Sequence, residues 1–199
     1  MLAPRTSDAV LLITSLKPNV ARAEAARLFS GPINEMRRGR LQVVMDFYVP
    51  FHLFQVRVSN GAKRTAMLLA IDSVKGNLDL YGFESPPSSE QRISIETERV
   101  AQVGIDEACA FSILESKVKR EAYLKGFFKV KNLDVTGTRV EGLHVPYWVG
   151  VYKRQERVSL EVLDAVRGRL EGAKLREVVT EWFLSPAGAA EQASGRRSL

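Results

Sequence analysis

Leu68-Leu69-Ala70-Ile71-Asp72-Ser73-Val74-Lys75-Gly76-Asn77-Leu78-Asp79 decides the reading of this chain, because a near copy stands at Leu160-Glu161-Val162-Leu163-Asp164-Ala165-Val166-Arg167-Gly168-Arg169-Leu170-Glu171. Asp, Val, Gly and Leu recur identically, while Ser/Ala, Lys/Arg and Asp/Glu are conservative exchanges. Self-similarity of this kind is the sequence signature of an internal duplication. Upstream, Val49-Pro50-Phe51-His52-Leu53-Phe54-Gln55-Val56 aligns with Val145-Pro146-Tyr147-Trp148-Val149-Gly150-Val151-Tyr152. Pro50 to Asp72 spans 22 positions and Pro146 to Asp164 spans 18, a difference that an intervening hairpin loop absorbs.

A helical pattern precedes each block. Asn19 is placed to cap a helix over 20–29, with Ala21, Ala25, Leu28 and Phe29 on one face. Asp106 is placed to cap a second over 107–124, with Phe111, Leu114, Val118 and Ala122 as its stripe. Alternation and β-branched or aromatic content predict strands over 41–48, 51–58, 64–71, 133–140, 146–153 and 158–163. Pro50 and Pro146 should then sit at strand starts or bulges. The expected fold is α+β: two tandem copies of a helix followed by a small antiparallel sheet, related by pseudo-two-fold symmetry. The Pro/Ser-rich stretch 83–90 marks the joint, giving units 1–88 and 89–184. An extra C-terminal helix carries Leu175, Val178, Val179 and Trp182 at i, i+3, i+4 and i+7, and residues 185–199 read as a disordered tail.

The recurring acids Asp72 and Asp164 invite a catalytic reading, but their context is that of a turn. An Asp ending an apolar strand, with Gly four residues on, suits a carboxylate that accepts turn amides while Gly takes positive φ. The second block, Pro146-Tyr147-Trp148 through Tyr152 and then Asp164-Ala165-Val166-Arg167-Gly168-Arg169-Leu170 after the Asp106-Glu107-Ala108 helix, resembles the helix-plus-sheet unit of PepSY-type domains, which often end in a strand reading Asp-Ala-x-x-Gly. The resemblance covers residues 105–171 well and 19–79 poorly, and a departure from the family pattern is expected in that no signal or membrane segment is read from the sequence. It implies a non-catalytic, protein-binding role.

Composition narrows the classes. At 199 residues, 45% apolar and 26% charged, the chain resembles an ordinary globular protein. No signal peptide is expected, no apolar run nears the roughly 20 residues of a membrane span, and Cys109 is the only cysteine, so a cytoplasmic, reducing location is expected. Cys109, between two alanines of a predicted helix, reads as a buried inert thiol. The net charge of +6 is uneven: residues 1–88 hold 11 Lys/Arg against 7 Asp/Glu, and residues 89–184 hold 16 against 15. The densest basic point is Arg37, Arg38 and Arg40, in a stretch that reads as a turn.

Neither phosphate-cradling glycine loop occurs, nor a Gly-x-Ser-x-Gly elbow. The two histidines, His52 and His144, have no metal-ligand spacing. No catalytic residue, metal site or cofactor is therefore nominated, and an enzyme ranks third. The leading expectation is a non-catalytic binding or scaffolding protein with a protein partner or self-association, acting through the junction or sheet edges of the two copies. Phe51, His52, Tyr147 and Trp148 are its candidate ligand-binding residues. The alternative is a nucleic-acid binder using Arg37, Arg38 and Arg40, with Phe47, Tyr48, Phe51 and Phe54 as stacking rings.

Overall fold

The computed structural model describes residues 10–126 and 132–185; the tail from 186 onward and its expected disorder lie outside the described residues. The fold is α+β, with four α-helices and a mixed, mostly antiparallel sheet of eight strands among the described residues. In chain order these are β1 (Leu11–Leu16), α1 (Arg22–Phe29), α2 (Pro32–Arg38), β2 (Arg40–Asn60), β3 (Lys63–Asp72), β4 (Tyr81–Phe83), β5 (Arg92–Thr97), α3 (Glu107–Gly126), β6 (Leu133–Arg154), β7 (Arg157–Asp164), β8 (Arg169–Leu170) and α4 (Ala173–Leu184). The 83–90 stretch runs from the end of β4 into a short 3-10 helix over Ser89–Gln91.

The chain forms two compact units, and they do not follow the sequential division at residue 88. The first comprises described residues 10–48, 92–101 and 145–185; the second comprises Val49–Gln91 and Gln102–His144. In the first unit α1, from the first half of the sequence, packs on the β6–β7 hairpin from the second half. Val20, Ala25, Phe29, Tyr152 and Leu163 share that core. Gly150 lies so close to the Phe29 ring that a Cβ there would stand 2.9 Å from it. Helix α4 covers β7 with the predicted stripe of Leu175, Val178, Val179 and Trp182, and Trp182 meets Phe47 edge-on at 5.4 Å. In the second unit α3, from the second half, packs on the β2–β3 hairpin from the first, through Ala110, Leu114 and Val118 against Phe54, Val56 and Ile71. Each helix thus covers a hairpin encoded in the opposite half.

Strand boundaries differ from expectation at both prolines. Pro50 and Pro146 lie inside single strands of 21 and 22 residues, where 41–48 and 51–58, and likewise 133–140 and 146–153, are continuous. A proline offers only an acceptor, and both acceptors are used: Pro50 O takes Ser73 N at 2.9 Å, and Pro146 O takes Ala165 N at 3.1 Å. Asn19 does not cap α1. Its amide donates to Val166 O, and the helix begins after Ala21 with no side-chain cap. Asp106 does cap α3, accepting Cys109 N at 2.8 Å. Leu28, expected inside, is exposed, and so is Cys109, which overturns the reading of a buried thiol. Strands β1, β4, β5 and β8 and helix α2 were not anticipated.

The turns after β3 and β7 are built as their sequence suggests. Asp72 is fully buried, with Oδ1 accepting Lys75 N and Gly76 N and Oδ2 accepting Leu78 N, all at 2.9 Å. Asp164, also fully buried, accepts Val166 N at 2.9 Å and Arg167 N at 2.8 Å on Oδ1. Gly76 and Gly168 adopt φ of 67° and 68°. Truncating either acid strands amides that a carboxylate had satisfied. Asp72→Ala is therefore expected to cost about 3 kcal/mol in urea unfolding, and Asp164→Ala to be destabilising as well. Equal stability of Asp72→Ala and the parent chain would contradict this account.

Candidate functional site

The residues nominated as a ligand site have defined places, and most are structural. In the second unit Phe51 is in the core, paired across the hairpin with Asp72 and edge-on to Tyr81 at 5.6 Å. In the first unit Tyr147 is buried opposite Asp164. The Trp148 indole, half-buried, donates to Val20 O at 2.8 Å and so fixes the segment that enters α1. These rings hold the fold at the point where each hairpin meets its Asp turn.

His52 is different. It is half-buried and edge-on to Phe54 at 6.3 Å, with both ring nitrogens shielded from solvent. Burial lowers its pKa below the ordinary 6.5, and the Arg139 charge lowers it further. Glu107, the Ile105 backbone and Asp106 oppose the shift without cancelling it. His52 thus takes up a proton less readily in the folded protein than in the unfolded chain, which is protonated below about pH 6.5. Since the folded pKa is the lower one, stability is complete above pH 6.5 and falls as pH drops from 6.5 toward the folded value. His52→Gln should remove this part of the acid sensitivity when urea midpoints are compared at neutral and mildly acidic pH. An unchanged pH profile in the variant would show that His52 does not carry it.

The basic cluster is not in a simple turn. Arg37 and Arg38 form the last turn of α2, Gly39 follows with φ 93°, and Arg40 opens β2. Arg38 is committed to an ion pair with the buried Glu161 of β7, which Arg176 of α4 also contacts at 2.9 Å. Arg37 and Arg40 are exposed. Phe47, Tyr48, Phe51 and Phe54 are all buried, so they offer no rings for stacking beside these arginines. Tyr48 is held far above its ordinary pKa by burial and by Asp46.

The same corner gathers cations that the sequence kept far apart. A Cβ on Gly39 would stand 2.4 Å from Lys153 O and 2.6 Å from Arg154 Cβ, so the end of α2 lies directly on the end of β6. Arg154 Nη1 donates to Met36 O at 3.3 Å, and Arg157 faces Arg154 across the β6–β7 hairpin. Arg37, Arg40, Lys153, Arg154 and Arg157 are exposed together, with Glu35 and Glu156 as the acids among them. The second-half cations escaped the sequence reading because the acids along their half balance them in number.

Helix α2 itself buries none of its residues. It is held by polar anchors: the Arg38–Glu161 pair, the Arg154 bond to Met36 O, and the Asn34 amide, which reaches Leu28 O at 3.2 Å. Ile33 and Met36 are consequently 66% and 73% exposed, and Leu28 beside them 51%. An open pocket of about 190 Å³ lies under the corner, lined by Phe29, Glu35, Gly39, Arg40 and Tyr152, whose hydroxyl donates to Phe29 O at 2.9 Å. Burial, then Glu161, raises that phenol to about 12. The pocket is smaller than the roughly 300 Å³ at which ligand clefts begin.

Among the described residues, no three His, Cys, Asp or Glu side chains are grouped to hold a metal ion. No helix of the described residues is long and apolar enough to cross a membrane. No protein family, no curated protein and no solved structure matches the chain.

Proposed function

We propose that the chain is a non-catalytic binding protein, and that its contact surface is the corner formed by α2 and the β6–β7 turn. The observation that carries this reading is the construction of α2: seven residues, none buried, with side chains Ile33 and Met36 left in solvent beside exposed cations. A helix packed for stability alone turns its apolar residues inward, whereas polar anchors keep this one facing out. The acids that a catalytic reading would take up first are occupied: Asp72 and Asp164 by turn amides, Glu161 by two arginines. The resemblance to PepSY-type units favours the same class of function, as does the arrangement in which a helix of each half covers a hairpin of the other.

The partner chemistry that fits is anionic. Duplex nucleic acid is the second reading, favoured by the five gathered cations, though its contacts would be to phosphates alone because the nearby rings are in the core. The test is anisotropy of a fluorescent duplex oligonucleotide, used as a defined polyanion, across a salt series. The chain is compared with Arg37→Ala/Arg40→Ala/Arg157→Ala; Arg38 and Arg154 are spared because they anchor α2. A log-log salt slope of about −4.5, falling to about −2 in the triple variant, is the expected result. A slope unchanged by the substitutions would place the anion-binding surface elsewhere and remove the corner from the proposal.

A further inference from the structure

We infer that the surface this corner meets is an anionic lipid bilayer, with α2 lying in the headgroup layer, Ile33 and Met36 entering it, and the flanking cations on lipid phosphates. The inference rests on the reading of the corner as the contact surface and names its partner.

Two features have to be matched by one occupant. The first is apolar: Ile33 and Met36 are three residues apart, hence on one side of the helix, and are two-thirds exposed or more. The second is cationic: Arg37 stands four residues from Ile33 on that side, and Arg40, Lys153, Arg154 and Arg157 surround the helix end, against Glu35 and Glu156. A duplex backbone satisfies the cations and leaves the apolar side chains in water. An anionic bilayer satisfies both at the same depth, with phosphates above acyl carbons. Stable attachment to a bilayer generally takes two signals, a modest apolar insertion and a basic patch, and the corner holds one of each. A helix of seven residues is far too short to span a bilayer, so the geometry is that of a side lying on the interface.

Co-sedimentation of the full chain with vesicles of phosphatidylcholine alone, and with vesicles containing phosphatidylglycerol as well, tests this. Sedimentation with the anionic vesicles only, weakened by salt, is expected. Arg37→Ala/Arg40→Ala should lower the partition coefficient by about fivefold per arginine, and Ile33→Ser/Met36→Ser should lower it at unchanged salt dependence. Leu124→Ser, at an equally exposed apolar position on α3, serves as the control and should bind like the parent. All four positions of the two double variants are exposed, and unchanged thermal midpoints establish that the variants are folded. Equal binding to neutral vesicles, no binding to either, or full binding by Ile33→Ser/Met36→Ser overturns the assignment. If vesicles fail while the duplex is still bound through Arg37, Arg40 and Arg157, only the lipid assignment falls and the corner remains a polyanion surface. If both probes fail, the corner is not a contact surface.

Discussion

The hydrogen bonds around the residue that follows each turn aspartate are the joint on which the rest of the structure depends. Ser73 N donates to Pro50 O, and Ser73 O accepts Gly104 N at 2.8 Å and Ile105 N at 3.1 Å. Ala165 N donates to Pro146 O, and Ala165 O accepts Asn19 N at 2.8 Å and Val20 N at 2.9 Å. The same set is made twice: the hairpin is closed on its own proline, and the segment leading into a helix from the opposite half is tied to the turn. The buried carboxylate one residue earlier keeps each turn rigid enough to serve as that tie, since buried amides must find partners. Helices α1 and α3 are delivered to their hairpins from this joint, and the cores of both units follow from it.

A second constraint concerns charge. Glu161 is 4% exposed on β7, in direct contact with Arg38 of α2 and Arg176 of α4. An acid so placed must be ion-paired, because an uncompensated buried charge is strongly destabilising, on the order of 3–5 kcal/mol. The pair therefore does for α2 what an apolar stripe does for α4: it fixes the helix to β7. Tyr152, beside Glu161 and Arg38, contributes its ring to the core and its hydroxyl to the last carbonyl of α1. The three helices of the first unit are thus fastened to the β6–β7 hairpin by different means.

What the sequence revealed followed the strength of local signals. The α4 stripe, the Asp106 cap and the Asp-to-Gly turns were legible because each is decided within a few residues. The exchange of helices between halves was not, because a helix signal says that a face is apolar and not which hairpin it covers. Pro50 and Pro146 were misplaced for a similar reason: the prohibition on proline in a strand concerns the missing donor, and these two positions use the acceptor. Helix α2 was missed because Pro32-Ile33-Asn34-Glu35-Met36-Arg37-Arg38 has no buried stripe to generate periodicity. The candidate surface was half legible. Arg37, Arg38 and Arg40 stood out by density, while Lys153, Arg154 and Arg157 became their neighbours only through the Gly39 contact with β6.

That contact explains why the corner can present apolar and cationic side chains together. A seven-residue helix is marginal by itself, because nucleation consumes most of what its few hydrogen bonds return. It must be fastened to something, and an apolar face is the usual means. Here Ile33 and Met36 are not used for that purpose. The fastening is done by Arg38 on Glu161, by Arg154 on the Met36 carbonyl, and by Asn34 on the Leu28 carbonyl. Gly39, with φ 93° and no room for a Cβ against Lys153, lets the chain leave the helix and enter β2 immediately. Polar anchoring of a short helix therefore frees its apolar residues for an external surface, and drawing it onto the end of β6 surrounds them with the cations of the β6–β7 turn.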